Sequence, residues 1–157
     1  MIAGKLTEAV LIRPVQREDF AGWLRLWANY NAYGQSSPTA VPNELTEATW
    51  GRLLQSDQPM EALVAELDGS LVGFAHLVFH PSTSVARPVC FLNDLFVEVA
   101  RHGRGIRRAL IQSVYTRAEA AGAQRVYWHV LDTNVNAVHL YDGVARRSGH
   151  VVYRKDI

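Results

Sequence analysis

Residues 91–110 read Phe91-Leu-Asn-Asp-Leu-Phe-Val-Glu-Val-Ala-Arg-His-Gly-Arg-Gly-Ile-Arg-Arg-Ala-Leu110. The opening run, Phe91 to Val99, is rich in branched and aromatic residues and predicts a buried strand. A turn follows through Ala100 to Gly105. Ile106, Ala109, Leu110, Val114 and Ala118 then recur at helical spacing. A strand, a glycine-rich turn and a helix start make an anion site. The first N–H groups of a helix lack internal partners, and the macrodipole adds partial positive charge there. Gly103 and Gly105 let the backbone approach a ligand with no Cβ in the way. Arg101, Arg104, Arg107 and Arg108 add side-chain charge. The expectation is a diphosphate cradle.

Two common cradles are excluded. A phosphate-binding Walker loop needs Lys-Ser or Lys-Thr after its second glycine, and neither is present. A dinucleotide fingerprint needs a third glycine three residues after the second, where this chain has Arg108.

Outward from the loop, Ala9 to Pro14 reads as a first strand. Glu18 to Tyr33 has an apolar stripe at helical spacing, Phe20, Trp23, Leu24, Trp27 and Tyr30. Residues 34–44 are a loop, and Thr46 is expected to cap a second helix through about Leu54. Leu63 to Leu67, Asp68-Gly69 and Leu71 to Phe79 predict a hairpin. After the central strand and helix come a strand from Arg125 to Leu131 and a helix from Asn134 to about Arg147. A last strand is expected from His150 to Arg154.

Length and composition set bounds. A chain of 157 residues is expected to form one domain over 1–157. With 48% hydrophobic and 20% charged residues, it reads as globular rather than disordered. A net charge of +1 argues against a general nucleic-acid binder. No run approaches the ~18 apolar residues of a membrane span, and the N-terminal residues lack a signal-peptide hydrophobic region. The single cysteine, Cys90, excludes an internal disulfide framework and suits a reducing, cytoplasmic setting. No Cys/His spacing suggests a metal, so none is expected.

The loop resembles the acyl-CoA loop of the GCN5-related N-acetyltransferases (GNAT). Their pattern is Arg/Gln-x-x-Gly-x-Gly/Ala after a strand ending in Leu-aromatic-Val. Here the strand supplies Leu95-Phe96-Val97, and the loop reads His102-Gly103-Arg104-Gly105-Ile106-Arg107. A second signature of that family, Asn-x-x-Ala-x-x-Leu-Tyr, is present as Asn134, Ala137, Leu140 and Tyr141. Two positions depart from the pattern: His102 replaces Arg or Gln, and Arg107 replaces Gly or Ala. Arg107 can pair with phosphate, which arginine does well, or crowd the loop.

The resemblance implies an α/β (α+β) fold with a central, mixed, mostly antiparallel twisted sheet and about four flanking helices. It implies acetyl transfer from acetyl-CoA to a primary amine of a small molecule, a polyamine, amino acid or similar. The amine would attack the thioester directly in a ternary complex. Carried over by residue, Leu95, Phe96, Val97, His102 to Arg108, Asn134 and Ala137 would hold acetyl-CoA. His102, Gly103, Arg104, Gly105, Ile106, Arg107 and Arg108 form the pyrophosphate loop. Tyr141 would protonate the departing thiolate, and Asn134 also reads as a plain helix cap.

The base is open between Asp94, His80 and water. Asn93 stands where relatives often carry Glu and cannot take a proton. Strand alternation turns Asp94 to the opposite face unless a bulge intervenes. Tyr30, Tyr33, His80 and Asn93 are candidates for the acceptor pocket. Cys90 reads as a small buried hydrophobe. Dimerisation is common in the family, which leaves a homodimer open. An acyl-CoA-binding regulatory domain with degenerate catalysis is the alternative, and Asn93 and Arg107 keep it open. A phosphate- or nucleic-acid-binding module is a third reading.

Overall fold

The computed structural model of the chain describes residues 9–34 and 41–157. Strand β1 spans Leu11–Pro14, and helix α1 spans Phe20–Asn29, continued by one wide turn over Tyr30–Gly34. Helix α2 covers Asn43–Leu54. Strands β2 (Met60–Leu67), β3 (Ser70–His80) and β4 (Val89–Val97) follow. Helix α3 covers Ile106–Ala120, strand β5 Val126–Tyr127 and helix α4 Val135–Asp142.

The sheet order is β1-β2-β3-β4-β5. All neighbours pair antiparallel except β4 and β5, which run parallel. This is the mixed, mostly antiparallel sheet that the resemblance implied. Asp68 (φ 51°) and Gly69 (φ 78°) both adopt positive φ in the β2–β3 turn, which twists with the strands it joins.

β2 and β3 read as nearly continuous apolar runs because both faces of the sheet are covered. On one face Leu63, Ala65, Ala75, Leu77, Cys90, Leu92 and Val97 pack against Ile106, Leu110, Val114 and Ala118 of α3. On the other, Ala62, Val64, Phe74 and Phe96 pack against Trp23 and Leu26 of α1 and Leu53 of α2. Arg117 of α3 adds a two-pronged pair with Glu61 of β2, both contacts at 2.6 Å.

Pairing slips by one residue in β4. His76 faces Asp94, but Leu77 faces Leu92, so Asn93 is the extra residue of a bulge. Leu92 therefore belongs to the α3 face, whereas Asp94 joins the α1–α2 face beside His76.

Several sequence expectations change. α2 begins at Asn43, so Thr46 is an interior position and its hydroxyl lies 3.3 Å from the Trp27 indole nitrogen, which donates to it. β4 ends at Val97 rather than Val99 because Glu98 leads into a short helical turn. β5 pairs with β4 only through Cys90–Val126 and Phe91–Tyr127, then diverges, so residues 128–131 are not strand. α4 stops at Asp142, where Gly143 and Val144 turn back on Leu140 and Tyr141. Residues 150–154, expected as a strand, pair with no strand among the described residues.

Gly73 marks the tightest approach in the sheet. A Cβ there would sit 2.7 Å from the Phe96 carbonyl oxygen and 3.3 Å from Leu110 Cδ1. The backbone oxygen cannot swing aside. Gly73→Ala is therefore expected to cost about 1–3 kcal/mol of stability, as overpacking does. Gly51, inside α2, has only the flexible Gln55 amide at 4.0 Å, so Gly51→Ala should gain about 0.5–1 kcal/mol. Urea melts of both variants beside the parent check the contrast; equal midpoints would contradict the packing.

Candidate active site

Where β4 and β5 part, a cleft of about 830 Å3 opens. One wall is β4, through Leu92, Asn93, Leu95 and Phe96. The facing wall is the chain after β5, Trp128 to Leu131. Tyr30 of the α1 extension, His102, Arg107, and Asn134, Ala137 and Tyr141 around α4 complete it. Glu98 N–H bonds the Val72 carbonyl of β3 at 2.9 Å. By alternation, the backbone groups of Leu95 and Val97 face away from β3, into the cleft.

The loop at one end of the cleft has the geometry its glycines suggested. Gly103 and Gly105 both have φ of 77°, a left-handed conformation that favours glycine. Gly105 is the cap of α3 and offers no side-chain hydrogen bond to it. The first backbone bond of the helix is Ala109 N–H to Gly105 O, 3.0 Å. The N–H groups of Ile106, Arg107 and Arg108 thus point outward without helical partners.

His102 is tied down. Its Nε2–H donates to the Val97 carbonyl at 2.8 Å. That nitrogen then cannot accept, so the Arg107 guanidinium, 3.4 Å away, touches the ring without bonding it. Arg107 lines the cleft; Gly103, Arg104, Gly105, Ile106 and Arg108 do not line it but surround its end.

A buried polar chain supports the acceptor side. Trp23 Nε1–H donates to His76 Nε2 at 3.0 Å, and His76 Nδ1 lies 3.0 Å from Asp94 Oδ2. An indole only donates, so Nε2 must accept and Nδ1 carries the proton given to Asp94. Tyr30 OH donates to Asp94 Oδ1 at 2.9 Å, and Asn93 Nδ2 donates to Oδ2 at 3.0 Å. Burial alone would raise the Asp94 pKa. The bonds from His76, Tyr30 and Asn93 outweigh it and hold the carboxyl below its usual range. Tyr30 is pushed above the ordinary phenol range by burial, then by the Asp94 charge.

Asp94 is not among the residues lining the cleft; Tyr30 stands in front of it. Tyr141 also lines the cleft, edge-on to Trp128 with ring centres 5.3 Å apart. Burial raises its pKa, and the nearby Arg107 charge opposes the rise. Asn134 caps α4, its Oδ1 accepting from Ala137 N–H at 3.3 Å.

His80 lies elsewhere. It lines a separate depression with Phe79, Pro81 and Pro88, donates from Nδ1 to the Pro81 carbonyl at 2.8 Å and bonds Tyr127 OH at 2.7 Å. Expected at the acceptor pocket, it lies outside this cleft. The Tyr33 side chain lies outside the described residues. Cys90 is buried, with its pKa pushed up to about 11 by burial first and Glu61 second, so it is a thiol in the core.

Sequence reasoning missed Trp23 and His76, although a histidine within the apolar run 71–79 was the available signal. It also missed Trp128 to Leu131 as a wall, having read them as strand. Arg25, paired with Glu98 at 2.7 Å, lines the cleft without any motif to announce it.

The pattern of the acetyltransferase (GNAT) family matches residues 23–143. Among similar proteins is the D-amino-acid N-acetyltransferase HPA3 of Saccharomyces cerevisiae. It is 28% identical over 153 residues, covering 96% of this chain and 93% of that protein. The ribosomal-protein-alanine N-acetyltransferase from Brucella melitensis biovar Abortus 2308 superposes with a TM-score of 0.79 at 25% identity, covering 95% of this chain and 98% of that one. The aminoglycoside enzyme AAC(6')-Iy, in complex with the bisubstrate analogue CoA-S-monomethyl-acetylneamine, shares the fold with a TM-score of 0.78 at 19% identity, over 95% and 99%. The cleft lies between strands that part beside a glycine loop, and the family pattern runs across all of these elements: the chain belongs to the acetyltransferase (GNAT) family and is an N-acetyltransferase.

Proposed function

We propose that the protein transfers an acetyl group from acetyl-CoA to the primary amine of a small molecule, by direct attack within a ternary complex. The observation that carries this reading is that two phenols, Tyr30 and Tyr141, line one cleft with β4 and residues 128–131. The names of similar proteins, which act on D-amino acids and aminoglycosides, support an amine of modest size.

The residues present fit acetyl-CoA. The outward N–H groups of α3 and the Arg107 guanidinium suit a diphosphate. The Leu95 carbonyl and the Val97 N–H suit the amides of an extended pantetheine arm, as in strand addition. Bound there, acetyl-CoA would supply an activated thioester carbonyl; the ammonium first gives one proton to water, the neutral nitrogen then bonds the acetyl carbon as the C–S bond breaks, and a second proton leaves nitrogen while one reaches sulfur. The Leu95 N–H, farther along β4 from the glycine loop, suits the carbonyl oxygen. Orientation by the cleft walls is worth roughly 7–11 kcal/mol in well-aligned systems.

Tyr141 supplies the proton to sulfur. Its raised pKa keeps it a donor beyond the ordinary phenol value of about 10. Asp94, held ionised, acts through Tyr30: it orients the phenol, whose oxygen accepts from the incoming ammonium, and its negative charge selects a cation. With a lowered pKa, Asp94 is poorly suited to retain a proton, so water carries the proton away.

Three outcomes are expected. Thiol release from acetyl-CoA should appear with at least one member of a panel of polyamines, D- and L-amino acids and aminoglycosides. Stabilisation by acetyl-CoA in a thermal melt with no turnover on the panel would instead point to a CoA-binding domain without catalysis. Tyr141→Phe should lower kcat about 100-fold, within the range for general acids, and leave acetyl-CoA affinity nearly unchanged; an unaltered kcat removes the acid role. Asp94→Asn should raise KM for the amine about tenfold, the effect of losing a charge-assisted contact worth about 1.4 kcal/mol. The acidic limb of its kcat/KM profile should persist. Loss of that limb would make Asp94 the base itself.

A further inference from the structure

The proton that leaves the ammonium needs a destination beyond the first water, and β4 does not offer one. Asn93, at the bulge, is an amide and takes no proton. Most titratable side chains that line the cleft are committed elsewhere. Arg25 and Arg107 stay protonated. Glu98 is paired with Arg25 at 2.7 Å and follows Val97, at the glycine-loop end. His102 stands at the same end, its Nε2–H given to the Val97 carbonyl. The Tyr30 hydroxyl donates to Asp94, and Tyr141 is assigned to sulfur. His129 remains. Neither of its ring nitrogens has a hydrogen-bond partner among the described residues, and the residue is exposed.

The packing puts the His129 ring on the acceptor side. Cys90 and Leu92 of β4, with Val126 and Trp128 of the facing chain, pack toward α3. Alternation turns Phe91, Tyr127 and His129 to the other face, the one that carries Tyr30 and Asp94. The ring contacts agree. Phe91 stacks on Tyr127 with centres 4.9 Å apart, and His129 lies at a tilt 5.0 Å from Phe91. Phe91 is paired with Tyr127 in the parallel register, so two residues on, Asn93 and His129 face each other where the strands part. Leu95, whose N–H suits the thioester oxygen, lies further toward the glycine loop. His129 therefore stands on the amine side of the thioester.

We propose that His129 is the general base of the acetyl transfer and takes the ammonium proton through one water, from the wall opposite Asn93. The inference rests on the acetyl-transfer reading above. The ammonium gives a proton to the water as that water gives one to the free imidazole nitrogen. The amine becomes neutral, the water is restored and His129 becomes an imidazolium, whose exposure lets the proton pass to solvent. Only the first proton takes this route; the one that reaches sulfur still comes from Tyr141. Histidine suits the task because it ordinarily changes charge between about pH 5 and 8. The rings packed on His129 are Phe91 and Tyr127, and the Tyr127 hydroxyl is bound to His80 of β3 at 2.7 Å. On the same face Asp94 is held ionised behind Tyr30, whose phenol stays protonated.

Thiol release at saturating acetyl-CoA, followed against pH with an amine that the parent accepts, tests the assignment. His129→Gln keeps a polar side chain that cannot take a proton. It is expected to lower kcat/KM for the amine about 100-fold near neutral pH, and to abolish the acidic limb that the parent shows between about pH 5 and 8. The far-UV spectrum and the thermal shift with acetyl-CoA should match the parent. His129→Ala should regain rate when imidazole is added, in proportion to its neutral form. A His129→Gln profile that keeps the limb, a parent limb that follows the amine's own pKa from one acceptor to the next, or a His129→Ala enzyme that imidazole does not restore would each overturn the proposal. A parent that releases no thiol with any amine of the panel overturns the acetyl-transfer reading and this inference with it. A parent that turns over while His129→Gln leaves the limb unmoved overturns this inference alone.

Discussion

Strand β4 carries one residue more than β3 can pair with, and Asn93 is where the excess appears. Regular alternation would put Leu92 and Asp94 on one face. The bulge separates them, leaving Leu92 in the α3 core and turning Asp94 toward α1. An unpaired carboxylate at that depth would be costly. It is tolerated because three donors converge on it, His76 from β3, Tyr30 from the α1 extension and Asn93 from the bulge itself. The bulge also sits just beyond Phe91, the last residue of β4 paired with β5. Added twist at a bulge is a local reason for the two strands to part there. One irregularity thus opens the cleft and places the charge behind its wall.

The network around Asp94 binds helix to sheet as well as shaping the site. Trp23 is fully buried, stacks on Trp27 and packs at a tilt against Trp50, with ring centres 5.7 and 5.0 Å away. Its indole N–H would be an orphan in that apolar cluster without His76. His76 in turn is oriented by having one nitrogen committed to Trp23 and the other to Asp94. Every buried side-chain polar atom among the described residues has a partner. A satisfied buried network of this kind fixes side-chain geometry, so the phenol at the cleft wall is held by contacts that run back along the same face of α1 to Trp23.

Much of this was legible in the residues because it rests on local rules. The apolar runs of β2 and β3, the Asp68-Gly69 turn, the paired glycines before Ile106 and the Asn134-to-Tyr141 spacing each express a short-range constraint. What was not legible depends on partners distant in sequence. His76 and Asp94 are 18 residues apart, and Trp23 is 53 residues from His76. No periodicity announces that they meet. The bulge could be named as a condition for Asp94 but not read, since bulges follow from pairing register and not from one strand alone. His80 looked suited to the acceptor pocket because it ends a strand. Only the antiparallel direction of β3 shows that its end lies far along β4 from Asp94, opposite Val89. Residues 128–131 alternate like a strand, yet they lack the neighbour that would make them one.

The two departures from the family pattern compensate each other in part. His102 spends its donor on the Val97 carbonyl, so it fixes the loop to the end of β4 instead of reaching outward for phosphate. That bond satisfies an edge carbonyl which β5, having diverged, cannot take. The cation displaced from the first loop position reappears five residues on as Arg107, on the first turn of α3 and facing the cleft. Its charge is felt at Tyr141, where it opposes the rise in pKa caused by burial. Arg107 therefore stands between the anion end of the cleft and the phenol assigned to the leaving sulfur. A glycine or alanine there would leave the tyrosine more strongly raised and a weaker acid. In this chain the same side chain that suits a diphosphate also tunes the phenol proposed to protonate sulfur.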